Sequence, residues 1–180
     1  MKWEDFVDEV KKGYELKKEE LIKELEYLKF NTGLSYEILN DKETKEYKKL
    51  WIDSILPKNV SASIKEKAYS VCTDCGDYLW HLFSFELVET MENPTDEFNK
   101  LRKKNCTLVF ESNNFITVKL KNAEDLEEQD IIDFCKSVSG WACCDFVITA
   151  DDFSWSYSRT HEDYEDGFGP YFYKKKKEQC

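Results

Sequence analysis

Two pairs of short apolar segments constrain the fold of this chain more than any other feature of its sequence. In the first pair, residues 107–111 (TLVFE) and 115–121 (FITVKLK) flank an Asn-Asn dipeptide, which is typical of hairpin turns. In the second pair, residues 145–149 and 153–159 flank an Ala-Asp-Asp turn. Each pair predicts two neighbouring strands that run antiparallel.

The segments around these pairs predict helices and two further strands. Residues 122–139 have an amphipathic helical pattern that Asn122 could cap, and a second helix begins at Asn93-Pro94. The apolar run at residues 78–88 (YLWHLFSFELV) favours a strand, and residues 170–173 could add an edge strand. The predicted class is α+β, with a mixed or antiparallel sheet and helices on one face in a split βαβ-like arrangement.

The first part of the chain is predicted to be helical. Apolar residues recur every three or four positions over residues 2–30, and helices are also predicted over residues 44–56 and 61–69. We expect residues 1–60 to form an N-terminal helical extension and residues 61–180 to form the α+β domain. The first helix is expected to pack on its own domain, with a coiled-coil seam as the alternative.

The composition indicates a soluble, acidic protein. The net charge is −11, and residues 121–173 hold 13 acidic but only 3 basic residues. Such a field repels nucleic acid and anionic membranes and attracts basic partners. No signal-peptide pattern and no 18-residue apolar run occur, and 7 cysteines, an odd number, suit a reducing compartment. We therefore expect a cytoplasmic protein, monomeric or homodimeric, that binds neither nucleic acid nor a membrane.

Residues 150–173 combine aromatic with acidic side chains, which suits a contact surface better than a core. The more ordinary explanation is an acidic face whose aromatic rings point inward. If the stretch binds a partner, the predicted contact residues are Asp151, Asp152, Trp155, Glu162, Asp163, Tyr164, Glu165 and Asp166.

The chain contains two histidines, His81 and His161, and the second precedes Glu162. Histidine and a carboxylate in one cleft can perform general acid–base catalysis, because histidine titrates near neutral pH. The ordinary alternative is a histidine that hydrogen-bonds a neighbour and fixes a turn. No glycine-rich phosphate loop and no HExxH motif occur, and we expect no cofactor.

A metal site is a weaker hypothesis. Cys72 and Cys75 have the spacing of half a zinc site, but the sequence contains no matching second half. Free thiols in or near the core are the simpler interpretation. The acidic residues after Ala150 could hold a hard cation, although a solvated loop is favoured over that reading because calcium-loop spacing is absent.

Two motifs resemble those of a known family. Residues 79–84 read LWHLFS, and residues 153–162 (FSWSYSRTHE) lead through THE to GPYF at 169–172. This pattern resembles a family of small uncharacterised bacterial proteins, a domain of unknown function, over about residues 75–173. The resemblance implies a bacterial α+β domain in which His81, His161 and Glu162 belong to one site, and it implies no particular activity.

These features lead to three functional hypotheses. The first is a non-enzymatic inhibitor of the immunity, antitoxin or anti-defence type, which blocks a basic surface of a toxin or nucleic-acid enzyme. The second is a small hydrolase-like enzyme with a His81/His161/Glu162 centre. The third is a structural protein that dimerises through its N-terminal helix.

Overall fold

The computed structural model describes residues 19–74, 78–111, 116–139, 145–163 and 169–176, and within this part the chain forms one six-stranded antiparallel sheet. The strands are β1 (Ser35–Ile38), β2 (Asn105–Phe110), β3 (Ile116–Lys121), β4 (Phe146–Ala150), β5 (Trp155–Arg159) and β6 (Tyr171–Lys174). Their order across the sheet is β1-β3-β2-β4-β5-β6. The predicted α+β class is confirmed, and so are both antiparallel strand pairs.

Helices fill most of the rest of the described chain. They are α1 (residues 19–32), α2 (Asp41–Ile55), α3 (Ala62–Tyr69), α4 (His81–Ser84), α5 (Pro94–Asn99) and α6 (Glu128–Ser139). A π-helical turn, Ser70–Asp74, follows α3, and a 3-10 turn, His161–Asp163, follows β5.

One face of the sheet is apolar and is covered by α1, α5 and α6. Because side chains alternate along a strand, Leu108 and Phe110 of β2 lie on this face together with Ile148 and Tyr157 of the neighbouring strands. The amphipathic pattern of the first helix is explained by its packing here, since Leu21, Leu25 and Leu28 of α1 are buried in this core.

The opposite face of the sheet is largely polar, yet it is buried as well. Its side chains include Thr107, Thr117, Thr149, Ser156 and Ser158, all at most 1% exposed. The aromatic and aliphatic side chains of α2, α3 and α4 cover this face together with Val109 and Val147. Helices therefore lie on both faces, not on one. Strands in which apolar and polar residues alternate are typical of a sheet with one solvent-exposed face. In this protein helices cover that polar face instead of solvent.

Hydrogen bonds offset part of the cost of burying this polar face, although Thr117 Oγ1 and Ser158 Oγ are buried without a hydrogen-bond partner among the described residues. The indole N–H of Trp51, on α2, is within hydrogen-bond distance of Thr149 Oγ1 (2.9 Å) and Ser156 Oγ (3.1 Å). The two hydroxyls also bond each other across β4 and β5 at 2.8 Å. A buried hydroxyl without a partner costs stability, so this three-way contact fixes the position of α2 on the sheet.

The apolar run at residues 78–88 forms a helical turn, so the strand predicted there is wrong. Helical hydrogen bonds join Ser84 N–H to the Trp80 carbonyl and Phe85 N–H to the His81 carbonyl. Leu79, Leu82 and Phe83 are buried at helical spacing. An apolar run of this length is compatible with a strand or a helix. Here the segment packs one side of a helical turn against the polar face of the sheet.

Asn122 does not cap the helix that follows it. It adopts a left-handed conformation (φ 57°) directly after β3, and α6 begins only at Glu128. The amide of Glu128 donates instead to Asn99 Oδ1, at the end of α5, at 3.0 Å. The cap therefore comes from another helix, which a local pattern cannot indicate.

The segment before residue 61 takes part in the same sheet and cores as the rest of the chain. Strand β1 pairs with β3 from Ser35 opposite Lys121 to Ile38 opposite Val118. Helices α1 and α2 pack on opposite faces of the sheet. The described part of the predicted N-terminal extension is thus continuous with the α+β domain, because β1 needs β3 for its backbone hydrogen bonds.

None of the described helices is both long and apolar enough to span a membrane.

We expect Asn40→Ala to lower the free energy of unfolding by about 1 kcal/mol, because it removes a capping box. Asn40 Oδ1 accepts the Glu43 amide at 3.0 Å, and Glu43 Oε2 accepts the Asn40 amide at 2.9 Å. Urea denaturation measures the effect. Asn40→Asp keeps the acceptor and is the matched control. Equal losses in both variants would contradict a capping role.

Candidate functional site

The candidate site lies at the end of the sheet where β2 and β5 finish and β4 begins, next to its polar face. His161, directly after β5, is held by Asp145, which directly precedes β4. The His161 ring Nδ1 lies 2.8 Å from Asp145 Oδ1 and 3.0 Å from Oδ2, and the His161 amide donates to Oδ1 at 3.0 Å. The His161 side chain is 44% exposed and that of Asp145 only 6%. The buried carboxylate thus fixes an exposed imidazole in one orientation.

The segment that leads into α4 completes the surroundings of His161. The Trp80 indole N–H donates to Asp145 Oδ1 at 3.1 Å, so Asp145 holds the tryptophan and the histidine together. The Trp80 ring centroid lies 4.1 Å from that of His81 and 6.1 Å from that of His161. The Tyr78 ring lies 5.8 Å and 5.7 Å from the same two rings. Both histidines therefore contact one aromatic pair.

Behind Asp145 the site continues inward to a second carboxyl group and a lysine. Glu111, directly after β2, is fully buried, and its Oε1 accepts the Leu79 amide at 2.8 Å. Lys48 Nζ of α2 lies 3.9 Å from the same oxygen and donates to the Cys72 carbonyl at 3.4 Å. Lys48, Glu111, Asp145 and His161 lead from the core to the surface; we call them the charged network.

Glu111 has an unusual affinity for its proton. Burial raises the pKa of its carboxyl to about 8, and the negative charge of Asp145 adds to this effect, while Lys48 and the Leu79 amide oppose it. Glu111 is therefore mostly protonated at neutral pH. Strongly perturbed carboxyl groups are common at functional sites, although structural networks also contain them.

The structure brings together the three residues of the predicted acid–base centre. His81 and His161 share the Tyr78 and Trp80 rings, and Glu162 Oε1 lies 3.9 Å from His161 Nε2. Asp145 and Glu111 are additions that the sequence did not indicate, because an acidic residue at the end of an apolar strand usually marks the start of a solvated loop. Their only signal is position: both directly flank strands that pair with each other.

The predicted partner-contact residues that the structure describes do not form one surface. Asp151 and Asp152 are exposed in the turn between β4 and β5, whereas Glu162 follows the other end of β5. Six residues of extended chain separate Asp145 from Asp151, roughly 20 Å. Tyr164, Glu165, Asp166 and the side chain of Asp163 lie outside the described residues.

Trp155 is not available as a contact anchor. It is 8% exposed and belongs to the apolar core, where its ring lies edge-on to Phe98 at 5.9 Å. The prediction of Trp155 as a contact residue is therefore wrong. Side chains alternate between the two faces along β5, and Trp155 and Tyr157 lie on the face that packs against α6.

The negative charge of the last third of the chain is also divided. Six of its 13 acidic residues lie between positions 124 and 133, on α6 and the loop before it. These residues belong to the helix layer on the apolar face, although Glu128 reaches Arg159 at the end of β5 and forms an ion pair with it. Charge density along the sequence therefore overstates the charge at any one surface.

The cysteine hypothesis gains no support from the described residues. Cys72 is buried, and its Sγ lies 3.9 Å from the Tyr78 carbonyl; Cys75 lies outside the described part. Among the residues that are described, no group of three His, Cys, Asp or Glu side chains could hold a metal ion.

Fold and site together define an α+β domain in which a surface histidine is backed by two buried carboxyl groups. The chain belongs to the family of the domain of unknown function DUF4275, whose family model matches residues 37–172. This confirms the resemblance stated from the sequence and extends it to β1 and α2, so that all four residues of the charged network fall within the match. Searches of curated proteins and of solved structures found no match.

We expect Glu111→Gln to change how stability depends on pH. The folded protein keeps the Glu111 proton up to about pH 8, whereas the unfolded chain releases it near the usual pKa of 4.5. Between these values the folded state holds more protons, so the Glu111 contribution to stability declines as the pH rises, by at most about 1.4 kcal/mol per pH unit. Above pH 8 this decline ends.

The measurement is the free energy of unfolding in urea from pH 5 to 9. Relative to wild type, Glu111→Gln should gain stability from pH 5 to about pH 8 and then level off, because the amide accepts the Leu79 N–H without titrating. Glu37→Gln, an exposed carboxyl on β1, is the control. Parallel curves for wild type and Glu111→Gln would contradict the raised pKa.

Proposed function

We propose that this domain is a small hydrolase-like enzyme whose acid–base group is His161. The observation that carries the proposal is the contact between Asp145 and His161, in which both carboxylate oxygens lie within 3.0 Å of Nδ1 while the ring is 44% exposed. A carboxylate at Nδ1 favours the tautomer with a proton on Nδ1, which leaves Nε2 free to accept one. The same carboxylate stabilises the imidazolium that then forms.

The chemistry that follows is proton transfer to and from a water molecule. His161 Nε2 would take a proton from water as the water oxygen attacks a carbonyl carbon, and would return it to the leaving group as the acyl bond breaks. Glu162 Oε1, 3.9 Å from Nε2, would favour the charged imidazole in between. Tyr78 and Trp80 pack beside the ring and restrict its rotation.

The electrostatics of the site limit the substrate. The carboxylates of Asp145 and Glu162 both flank His161. An anionic substrate would be repelled from such a surface. The proposal therefore concerns neutral or cationic esters and amides, and phosphate esters and nucleic acids are disfavoured.

The test is a panel of chromogenic esters and amides that carry neutral, cationic or anionic groups, with kcat/KM measured from pH 5 to 9. We expect cationic and neutral members to turn over. His161→Gln and Asp145→Asn should each lower kcat/KM by about 100-fold or more, the usual range for a general acid–base residue.

Asp152→Asn, an exposed carboxyl at the other end of β5, is the matched control and should retain full activity. Turnover that is unchanged in His161→Gln, or no turnover by wild type above that variant on any substrate, would rule out the acid–base role.

A second candidate is the inhibitor of a basic toxin or nucleic-acid enzyme, which the net charge of −11 favours. The best contact surface for it is the end of the sheet that carries His161. There Phe85, 69% exposed, lies 5.8 Å from the His81 ring, and Glu162 and His161 add polar contacts. An exposed aromatic ring bordered by acids is typical of an anchor for a basic protein surface.

Variants at the two opposite ends of β5 test this candidate, because only the end that carries His161 is expected to contact the partner. A basic protein captured from host lysate at low salt would be purified, and its association rate with the domain measured between about 0.05 and 1 M salt. We expect the rate to fall steeply with salt, and Phe85→Ala with Glu162→Gln to weaken binding while Asp151→Asn with Asp152→Asn does not. Salt-independent association would contradict charge complementarity, and the reverse pattern of variants would move the contact to the β4–β5 turn.

A further inference from the structure

Glu111 has no part in the proposed proton transfer, yet its carboxyl group is fully buried in the fold. Its Oε1 accepts the Leu79 amide at 2.8 Å, and its Oε2 is buried without a hydrogen-bond partner among the described residues. A buried polar atom without a partner is costly and calls for a physical explanation. A hydrophobic or amide side chain at this position would avoid that cost.

The connections of Glu111 indicate what it does. Its side chain holds the Leu79 backbone, and the rings of the residues on either side, Tyr78 and Trp80, lie 5.7 Å and 6.1 Å from that of His161. Its own amide donates to the Asp145 carbonyl at 2.8 Å, so the same residue also fixes the backbone of the carboxylate that orients His161. One residue thus links both elements of the site.

We propose that Glu111 is a positioning residue of the His161 site, and that the gain or loss of its proton alters how the segment at residues 78–81 is held against the sheet. This inference rests on the proposed function in treating His161 as the working group. It adds a means by which pH acts on the site through a residue that touches no substrate.

The charged groups that face Glu111 set the direction of the effect. Lys48 approaches from α2 at 3.9 Å, Asp145 lies on the neighbouring strand end, and the Cys72 carbonyl accepts from Lys48 on the far side. An ionised Glu111 accepts the Leu79 amide in a charge-assisted bond and attracts Lys48. It also places a second negative charge next to Asp145, the carboxylate that orients His161.

The experiment is an NMR titration of the full chain from pH 6 to 9.5, which needs no substrate. The carboxyl carbon of Glu111 reports its ionisation, the Trp80 indole N–H reports the segment, and the His161 ring reports the site. We expect the Glu111 signal to titrate with a midpoint near pH 8, and the other two signals to show a step at the same midpoint. Glu111→Gln should remove that step from the Trp80 and His161 signals.

Asp152→Asn is the matched control, because the Asp152 carboxylate also accepts a backbone amide, that of Ser154 at 3.0 Å, but on the surface. It should leave all three signals unchanged. A Glu111 signal that does not titrate in this range overturns the proposal, as does titration that leaves Trp80 and His161 unaffected. The wild-type titration decides between these outcomes even if Glu111→Gln does not fold.

The result is independent of the activity assays. If wild type shows the shared midpoint but hydrolyses nothing, Glu111 controls a site whose function is not hydrolysis. If His161→Gln abolishes activity while the shared midpoint is absent, the enzyme proposal stands and the positioning role of Glu111 fails.

Discussion

The burial of a polar sheet face is the constraint on which the rest of this structure depends. Hydroxyl and carboxyl groups on that face exchange water for protein when α2, α3 and α4 close over it, and each one that lacks a partner there costs stability. The Trp51 indole N–H lies within hydrogen-bond distance of two hydroxyls, the Trp80 indole N–H donates to Asp145, and the Lys48 ammonium group approaches Glu111. The helix layer is therefore positioned by specific donors as well as by apolar contact. The layer with α1 and α6 combines hydrophobic packing with one buried polar group, since Glu128 Oε1 accepts from the Tyr157 hydroxyl and from Arg159.

The layer that covers the polar face encloses two carboxyl groups at the end of the sheet, where Leu79 and Trp80 donate hydrogen bonds to them. Glu111 is enclosed completely, and Asp145 is enclosed except on the side where His161 stands. The same covering layer thus separates one carboxyl that keeps its proton from another that orients an imidazole.

The sequence predicts the fold well where the pattern is local. Strand pairs with short turns, the amphipathic stripe of α1 and the Pro-initiated α5 each follow from residues close together in the chain. The structure of the apolar run at residues 78–88 cannot be predicted from its own residues, because its apolar side chains are compatible with a strand or a helix. The surface against which the run packs determines which of the two forms. The capping of α6 by Asn99 fails for a related reason: the acceptor lies 29 positions away. Within the candidate site, His161 and Glu162 are visible as a motif, whereas Lys48 and Glu111 meet only through tertiary structure.

The pairing of β1 with β3 has a consequence for the order of events during synthesis. Ser35 pairs with Lys121, which is made only after two-thirds of the chain has been synthesised. Until then β1 has no strand with which to pair. Non-local pairing of this kind raises the contact order and slows folding. While the ribosome still holds the later strands, α1 has no sheet on which to bury Leu21, Leu25 and Leu28. The nascent chain thus exposes this leucine stripe until its own later residues cover it.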